Sequence, residues 1–127
     1  MEVRIYYEDT DAAGVVYHAN YLKFFERART EYFRERGLFV AELAAAGSVF
    51  PVVRMEVDFI APARHDDLLE VITKPEQISG SSFSLRQQIY RAGDGRLLVN
   101  ALVKLACIGP DSKARRIPTE VRKVVEV

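Results

Sequence analysis

Cysteine is almost absent from this 127-residue chain, which contains only Cys107. A single cysteine excludes both an intramolecular disulfide framework and a cysteine-rich metal site. The chain has just two histidines, His18 and His65, which give a zinc site little support. We therefore expect a protein that contains neither a disulfide nor a metal centre.

A charge excess and long apolar runs are also missing. Lys+Arg and Asp+Glu number 18 each, so no net field favours nucleic acid or an acidic membrane. No run approaches the ~18 apolar residues of a membrane span. The first residues carry charges where a signal peptide would have its apolar region. These features predict a cytoplasmic protein that does not insert into a membrane or bind nucleic acid.

The composition that remains predicts one compact domain covering residues 1–127. Hydrophobic residues make up 49% of the chain, which is enough for a core, and charged residues make up 28%. The sequence shows no internal repeat, linker or low-complexity segment.

A helical periodicity extends from about Tyr17 to Arg36, followed by Gly37, a residue typical of the position just after a helix end. Apolar residues recur at helical spacing and define one face, which consists of Tyr21, Phe25, Ala28 and Tyr32. We assign the solvent-facing side to the charged residues Glu26, Arg27, Arg29, Glu31, Arg34, Glu35 and Arg36.

Strand-like segments precede and follow this helix. The first is Val3 to Glu8, and four more follow consecutively at Phe50–Ile60, Leu68–Ile78, Ser82–Tyr90 and Arg96–Ile108. Short helices are predicted at Val40–Ala46 and Thr119–Val125. This order indicates an α+β fold, in which an antiparallel sheet wraps against one long helix.

The stretch between Tyr7 and Tyr21 combines groups suited to hydrolysis. It ends where the long helix begins, and free N–H groups at a helix start can polarise a carbonyl. The carboxylate of Asp11 could act as nucleophile or general base. Asp11 and Gly14 also fit the first and fourth positions of a type I turn, so spacing alone leaves a purely structural role equally open. We interpret Glu8 and Asp9 as solvated or hydrogen-bonded turn carboxylates.

This stretch, Tyr7 to Tyr21, resembles the opening motif of the hotdog-fold thioesterases. The resemblance points to the 4-hydroxybenzoyl-CoA thioesterase-like branch, and within it to the acyl-CoA thioesterases associated with the Tol–Pal system. It covers nearly the whole chain. Further segments that contribute to it are Phe25 to Glu31, Ala61 to Arg64 with Asp66 and Asp67, and Arg116 to Pro118.

The resemblance implies a hotdog fold, a five-stranded antiparallel sheet wrapped around one long central helix. It also implies homodimers joined sheet edge to sheet edge, which often pair again into homotetramers, with active sites shared between subunits. The implied reaction is hydrolysis of an acyl-CoA thioester to a carboxylic acid and CoA, without a cofactor.

Asp11 falls on the catalytic carboxylate of that family. His18 occupies the position where a backbone N–H at the helix start polarises the thioester carbonyl in that family. Whether its side chain also takes part in catalysis is left open. The expected substrate-binding residues are Tyr17, Asn20, Ser81, Ser82, Arg115 and Arg116. Arginine binds phosphate oxygens bidentately, so the last two could meet the phosphates of CoA. For the serines and arginines a solvated surface position is the alternative.

Two other functions stay open on the sequence. The substrate could be carried by acyl carrier protein instead of CoA, although the opening motif argues against an enoyl-thioester hydratase. Alternatively, the domain could bind acyl-CoA without cleaving it. The length of the acyl chain and the choice between dimer and tetramer are left open.

Overall fold

A computed structural model describes all residues from 1 to 127. The elements, in chain order, are β1 (Glu2–Arg4), a 3-10 turn (Tyr7–Asp9), α1 (His18–Glu35), α2 (Val40–Ala45), β2 (Val52–Phe59), β3 (Leu68–Ile78), β4 (Ser82–Arg91), β5 (Leu97–Ala106) and α3 (Thr119–Val125). The strands form one antiparallel sheet in the order β1-β3-β4-β5-β2. The predicted α+β class and five-stranded antiparallel sheet with one long helix are confirmed. None of the helices combines the length and apolar character that a membrane crossing needs.

Helix α1 packs its apolar face onto one side of the sheet. Phe25 is fully buried, and Tyr21, Ala28 and Tyr32 are nearly so, which confirms the predicted face. The sheet contributes alternate residues from its inner strands, among them Phe83, Leu85, Ile89, Val99 and Val103, all at most 1% exposed. Burial of large apolar side chains contributes about 1.5–3 kcal/mol each, so this contact is the main source of stability.

The end of α1 has the geometry that the sequence predicts at Gly37. The residue has φ +81°, which glycine adopts without steric cost. Its N–H donates to the carbonyl of Arg34 at 3.0 Å, and the N–H of Leu38 donates to the carbonyl of Phe33 at 2.9 Å. These two bonds satisfy carbonyls that the helix itself leaves free, and together they stop the helix.

Arg29 does not lie on the solvent-facing side of α1, where we predicted it. Only 9% of this residue is exposed, and its guanidinium donates to Oε1 of Gln87 at 3.1 Å. Burial lowers the pKa of Arg29, and the charge of Glu26 partly offsets that effect. A helical wheel read from charge alone misses this position, because the partner that makes burial tolerable comes from the sheet.

The first strand is shorter than predicted. We expected strand structure from Val3 to Glu8, but β1 ends at Arg4 and the 3-10 turn occupies Tyr7 to Asp9. The carboxylate of Asp9 explains the difference, because its Oδ2 accepts the N–H of Tyr6 at 2.8 Å. Such a local side-chain bond competes with strand pairing.

Strand β2 lies at an edge of the sheet and pairs only with β5. Val52 pairs with Leu105 at its beginning, and Phe59 pairs with Val99 at its end. Apolar side chains remain exposed along the strand, including Val52 at 42%, Val53 at 57% and Phe59 at 51%. Unpaired backbone groups and exposed apolar side chains on an edge strand favour pairing with another strand.

Gln87→Ala should destabilise the fold by about 3 kcal/mol, because it leaves the buried Arg29 guanidinium and two other polar groups without their partner. The Gln87 amide donates to the carbonyl of Phe25 at 2.9 Å and to Oγ1 of Thr73 at 3.0 Å. Urea unfolding followed by circular dichroism measures the loss.

The matched control for this test is Gln88→Ala, the adjacent residue on the other face of β4. Gln88 is half-buried, donates to Oδ1 of Asn100 at a long 3.4 Å and accepts the hydroxyl of Tyr90 at 3.2 Å. Its removal should cost less than about 1 kcal/mol. Equal losses in the two variants would contradict the importance of the Gln87 contacts.

Candidate active site

Helix α1 starts with free backbone donors. Its N-cap residue, Tyr17, provides no side-chain hydrogen bond, and the N–H groups of His18 and Ala19 donate to no other group of the chain. The positive end of the helix dipole lies at the same place. This end of the helix can therefore bind a carbonyl oxygen or an anion.

The 3-10 turn is tied to the start of α1 through one carbonyl. The carbonyl of Asp9 accepts the N–H of Tyr17 at 3.0 Å and Nδ2 of Asn20 at 2.9 Å. The carboxylate of Asp9 is already bonded within its own turn, and Glu8 is exposed. Asn20 therefore holds the acidic segment against the helix, whatever contact it makes with a ligand.

Asp11 opens the tight turn that its sequence predicts. Its carbonyl accepts the N–H of Gly14 at 3.0 Å, and its Oδ1 accepts the N–H of Ala13 at 2.9 Å. Gly14 has φ +78°, a conformation that most other residues avoid. The side chain of Asp11 is exposed, and its Oδ2 accepts no hydrogen bond from the chain. One carboxylate oxygen is thus held in place, and the other is free to react or to accept a proton.

The turn that carries Asp11 is docked onto the rest of the fold through Ala63. Thr10 and Val16 form a β-bridge at the base of the turn. The N–H of Val16 donates to the carbonyl of Ala63 at 2.9 Å, and the N–H of Ala63 donates to the hydroxyl of Tyr21 at 3.0 Å. The Asp11 turn, the loop after β2 and helix α1 are thereby joined in one hydrogen-bonded chain.

A mainly apolar cavity of about 260 Å³ lies beside the helix start. The rings of Tyr17 and His18 are 4.6 Å apart between centroids, and His18 meets the ring of Phe59 edge-on at 6.0 Å. Pockets that take small organic groups have this character, apolar walls with a few polar groups. The lining residues are Val16, His18, Tyr21, Phe59, Ile60, Ala61 and Pro62.

The remaining predicted substrate-binding residues, Ser81, Ser82, Arg115 and Arg116, lie at the other end of the sheet. Strand β4 separates the two regions: it starts at Ser82 and ends at Arg91, whose guanidinium donates to the carbonyl of Pro62 in the cavity wall. Ten extended residues span about 30 Å. A single chain therefore does not bring Asp11 and these four residues together.

The two arginines of this distant group differ in freedom. The guanidinium of Arg115 donates to the carbonyl of Gly47 at 2.5 Å, and the backbone N–H of Arg115 donates to the carbonyl of Cys107 at 2.9 Å. Arg116 is exposed, and its side chain takes part in no hydrogen bond or ion pair within the chain. Arg116 is the one that is free to meet an anionic ligand.

The sequence does not single out two parts of the site. The loop Ala61–Arg64 enters only through the family resemblance, and the helical spacing places Tyr21 in the core. A signal for Tyr21 was present, because residues three apart on a helix share a face and Tyr21 follows His18 at that spacing. The position of the loop depends on long-range contacts that no local pattern encodes.

The sequence is similar to proteins of known families over most of its length. A family model described as the thioesterase superfamily matches residues 13–98. The chain is 44% identical over 120 residues to the acyl-CoA thioester hydrolase YbgC of Escherichia coli, an overlap of 94% of this chain and 89% of that protein.

Solved structures agree with that similarity. A probable thioesterase from Bartonella henselae superposes with a TM-score of 0.87 at 40% identity, covering 93% of this chain and 97% of the other. An aspartate-to-asparagine variant of 4-hydroxybenzoyl-CoA thioesterase, complexed with 4-hydroxybenzoyl-CoA, gives a TM-score of 0.90 at 26% identity. The superposition covers 99% of this chain and 96% of the chain of that thioesterase.

Asn20→Ala should lower the free energy of unfolding by about 1 kcal/mol, because it removes one of the two hydrogen bonds to the Asp9 carbonyl. The other bond, from the N–H of Tyr17, remains. Urea unfolding measures the change. Lys23→Ala is the control, since Lys23 lies exposed in the same helix and makes no hydrogen bond or ion pair. Identical stabilities of the two variants would show that the Asn20 bond does not hold the acidic segment.

Proposed function

The chain belongs to the thioesterase superfamily, and from this premise we propose that it is an acyl-CoA thioesterase, which hydrolyses acyl-CoA thioesters to a carboxylic acid and CoA. The observation that supports this function is the free pair of N–H groups at the start of α1, which adjoins both the Asp11 turn and an apolar cavity. The similarity to the E. coli acyl-CoA thioester hydrolase supports the same reaction.

We assign the carbonyl-binding role to the backbone N–H of His18. The thioester carbonyl would lie at the helix start, where a donor and the helix dipole favour negative charge on its oxygen. Charge builds up on that oxygen as a nucleophile adds to the carbon, so these donors stabilise the transition state more than the substrate. The acyl group would occupy the adjoining cavity, whose walls are mostly apolar.

Asp11 is the proposed catalytic carboxylate, by one of two routes. As general base it takes a proton from water; the water oxygen bonds to the carbonyl carbon, the C–S bond breaks, and a proton restores the thiol of CoA. As nucleophile its oxygen displaces the CoA thiolate, and water then cleaves the mixed anhydride. Both routes consume one water and yield one acid and one thiol.

We further propose that the active unit is at least a homodimer, joined through β2. The edge of this strand is unpaired and carries exposed Val52, Val53 and Phe59. If two copies pair antiparallel along it, the Phe59 end of one meets the Val52 end of the other. The Phe59 end adjoins His18, whereas the Val52 end adjoins the region of Ser81 and Arg116.

Such pairing accounts for the separation between the predicted site residues. In this arrangement Asp11, His18, Tyr17 and Asn20 of one copy face Ser81, Ser82, Arg115 and Arg116 of the second. The exposed guanidinium of Arg116 is suited to the phosphates of CoA, because arginine binds phosphate oxygens bidentately. A further pairing of dimers into tetramers remains a prediction from the family resemblance. The cytoplasmic location remains a prediction from the charged N-terminal residues and the lack of long apolar runs.

Asp11→Asn should lower kcat at least about 100-fold, since it removes the base or nucleophile while the amide oxygen still accepts the Ala13 N–H. Thiol release from short aliphatic, long aliphatic and aromatic acyl-CoAs measures the effect. The control, Glu8→Gln, alters an exposed nearby acid and should keep wild-type turnover. Full activity of Asp11→Asn would rule out the assignment.

The same panel separates the two other functions. A wild-type protein that binds acyl-CoA without releasing thiol would be a binding module. A protein that releases thiol only from acyl carrier protein would have that protein as partner.

Mixing Asp11→Asn subunits with Arg116→Ala subunits should restore activity, measured well below KM. Each mixed dimer would contain one site with both residues intact and one with neither. Random exchange makes half of the dimers mixed, so about a quarter of wild-type activity is expected if both parents are nearly inactive. Activity no higher than the average of the two parents would contradict a shared site, and light scattering reports the oligomeric state.

A further inference from the structure

The hydroxyl of Tyr21 is a buried donor that has no acceptor. Tyr21 is 3% exposed, and its oxygen takes part in a single hydrogen bond, which it accepts from the N–H of Ala63 at 3.0 Å. A phenol can accept and donate at once. A buried hydroxyl that accepts a hydrogen bond but donates none uses only part of its bonding capacity, so the free O–H needs an explanation.

Tyr21 lines the cavity at the helix start, which offers space for an acceptor of this O–H. Tyr21 and His18 lie one helical turn apart and line the same cavity of about 260 Å³, which has the volume of on the order of ten water molecules. Apart from these two, its lining residues are apolar: Val16, Phe59, Ile60, Ala61 and Pro62. A small group bound there is therefore within reach of both polar residues.

The hydroxyl keeps its proton under neutral conditions. Burial raises the pKa of Tyr21, and the hydrogen bond from Ala63 and the positive charge of Arg91 only partly offset that effect. The negative charges of Asp67 and Asp11 raise the pKa by smaller amounts. A neutral phenol fixed by its bond to Ala63 is a directional donor that needs no rearrangement when charge develops nearby.

We propose that Tyr21 is a catalytic residue whose O–H donates a hydrogen bond to the carbonyl oxygen of the bound thioester. This inference rests on the proposed thioesterase function. Tyr21 supplies a second donor beside the free N–H groups of α1, and its proton is shared with the substrate oxygen without being transferred. Two converging donors stabilise the charge on that oxygen as the C–S bond is attacked.

Tyr21→Phe should lower kcat about 100-fold and leave KM within about threefold, because the lost bond strengthens in the transition state. Tyr32→Phe is the matched control. It lies in the same helix, is also buried, and donates its O–H to the carbonyl of Val124, away from the cavity. The control should lose stability and keep kcat within about twofold.

An infrared measurement distinguishes direct contact from an indirect effect through Ala63. The probe is a ketone analogue of an acyl-CoA that the wild type hydrolyses, with CH₂ in place of the thioester sulfur. Donors that bond to its carbonyl lower the stretching frequency, so the frequency should rise in Tyr21→Phe and stay unchanged in Tyr32→Phe. A lower kcat accompanied by that rise supports the proposal.

Two results would overturn the role of Tyr21 while leaving the thioesterase function intact. One is a wild-type kcat in Tyr21→Phe. The other is a lower kcat with no change in the carbonyl frequency, which would make Tyr21 a positioning residue for Ala63. A wild-type protein that releases thiol from no acyl-CoA would instead overturn the thioesterase function, and this inference with it.

Discussion

One side chain, Gln87, fixes the position of helix α1 along the sheet. An amphipathic helix on an apolar sheet face could slide by a turn and bury much the same area, because hydrophobic contact has no direction. The Gln87 amide removes that freedom, since it bonds at once to the Phe25 carbonyl and to the Arg29 guanidinium. The start of the helix is the candidate oxyanion site, so the chemistry depends on a contact two turns away.

The sequence predicts those parts of the fold that local periodicity encodes. Alternation along β4, helical spacing in α1 and the glycine at its end all correspond to observed structure. The errors occur where a distant partner or a local side-chain bond decides. Arg29 is buried because Gln87 accepts from it, and the first strand stops at Arg4 because Asp9 holds a 3-10 turn.

The candidate site shows the same division between local and distant information. The Asp11 turn and the helix start at His18 are encoded within a few residues, and both are found as expected. The cavity depends on Phe59 and the loop after β2, which approach only when the sheet forms. The location of Arg116 far from Asp11 follows from strand order, and no residue pattern in one chain would reveal it.

The sheet order also determines when β2 can find its place during folding. This strand precedes β3 and β4 in the chain, yet its partner β5 is made after both. A newly synthesised β2 therefore has no partner strand until β3, β4 and β5 have been made. During that time the backbone groups of Val52 and Val53 are unpaired. Such alternating apolar segments associate with one another when they lack a partner. The interval before β5 emerges is thus the stage at which β2 is most open to association with other chains.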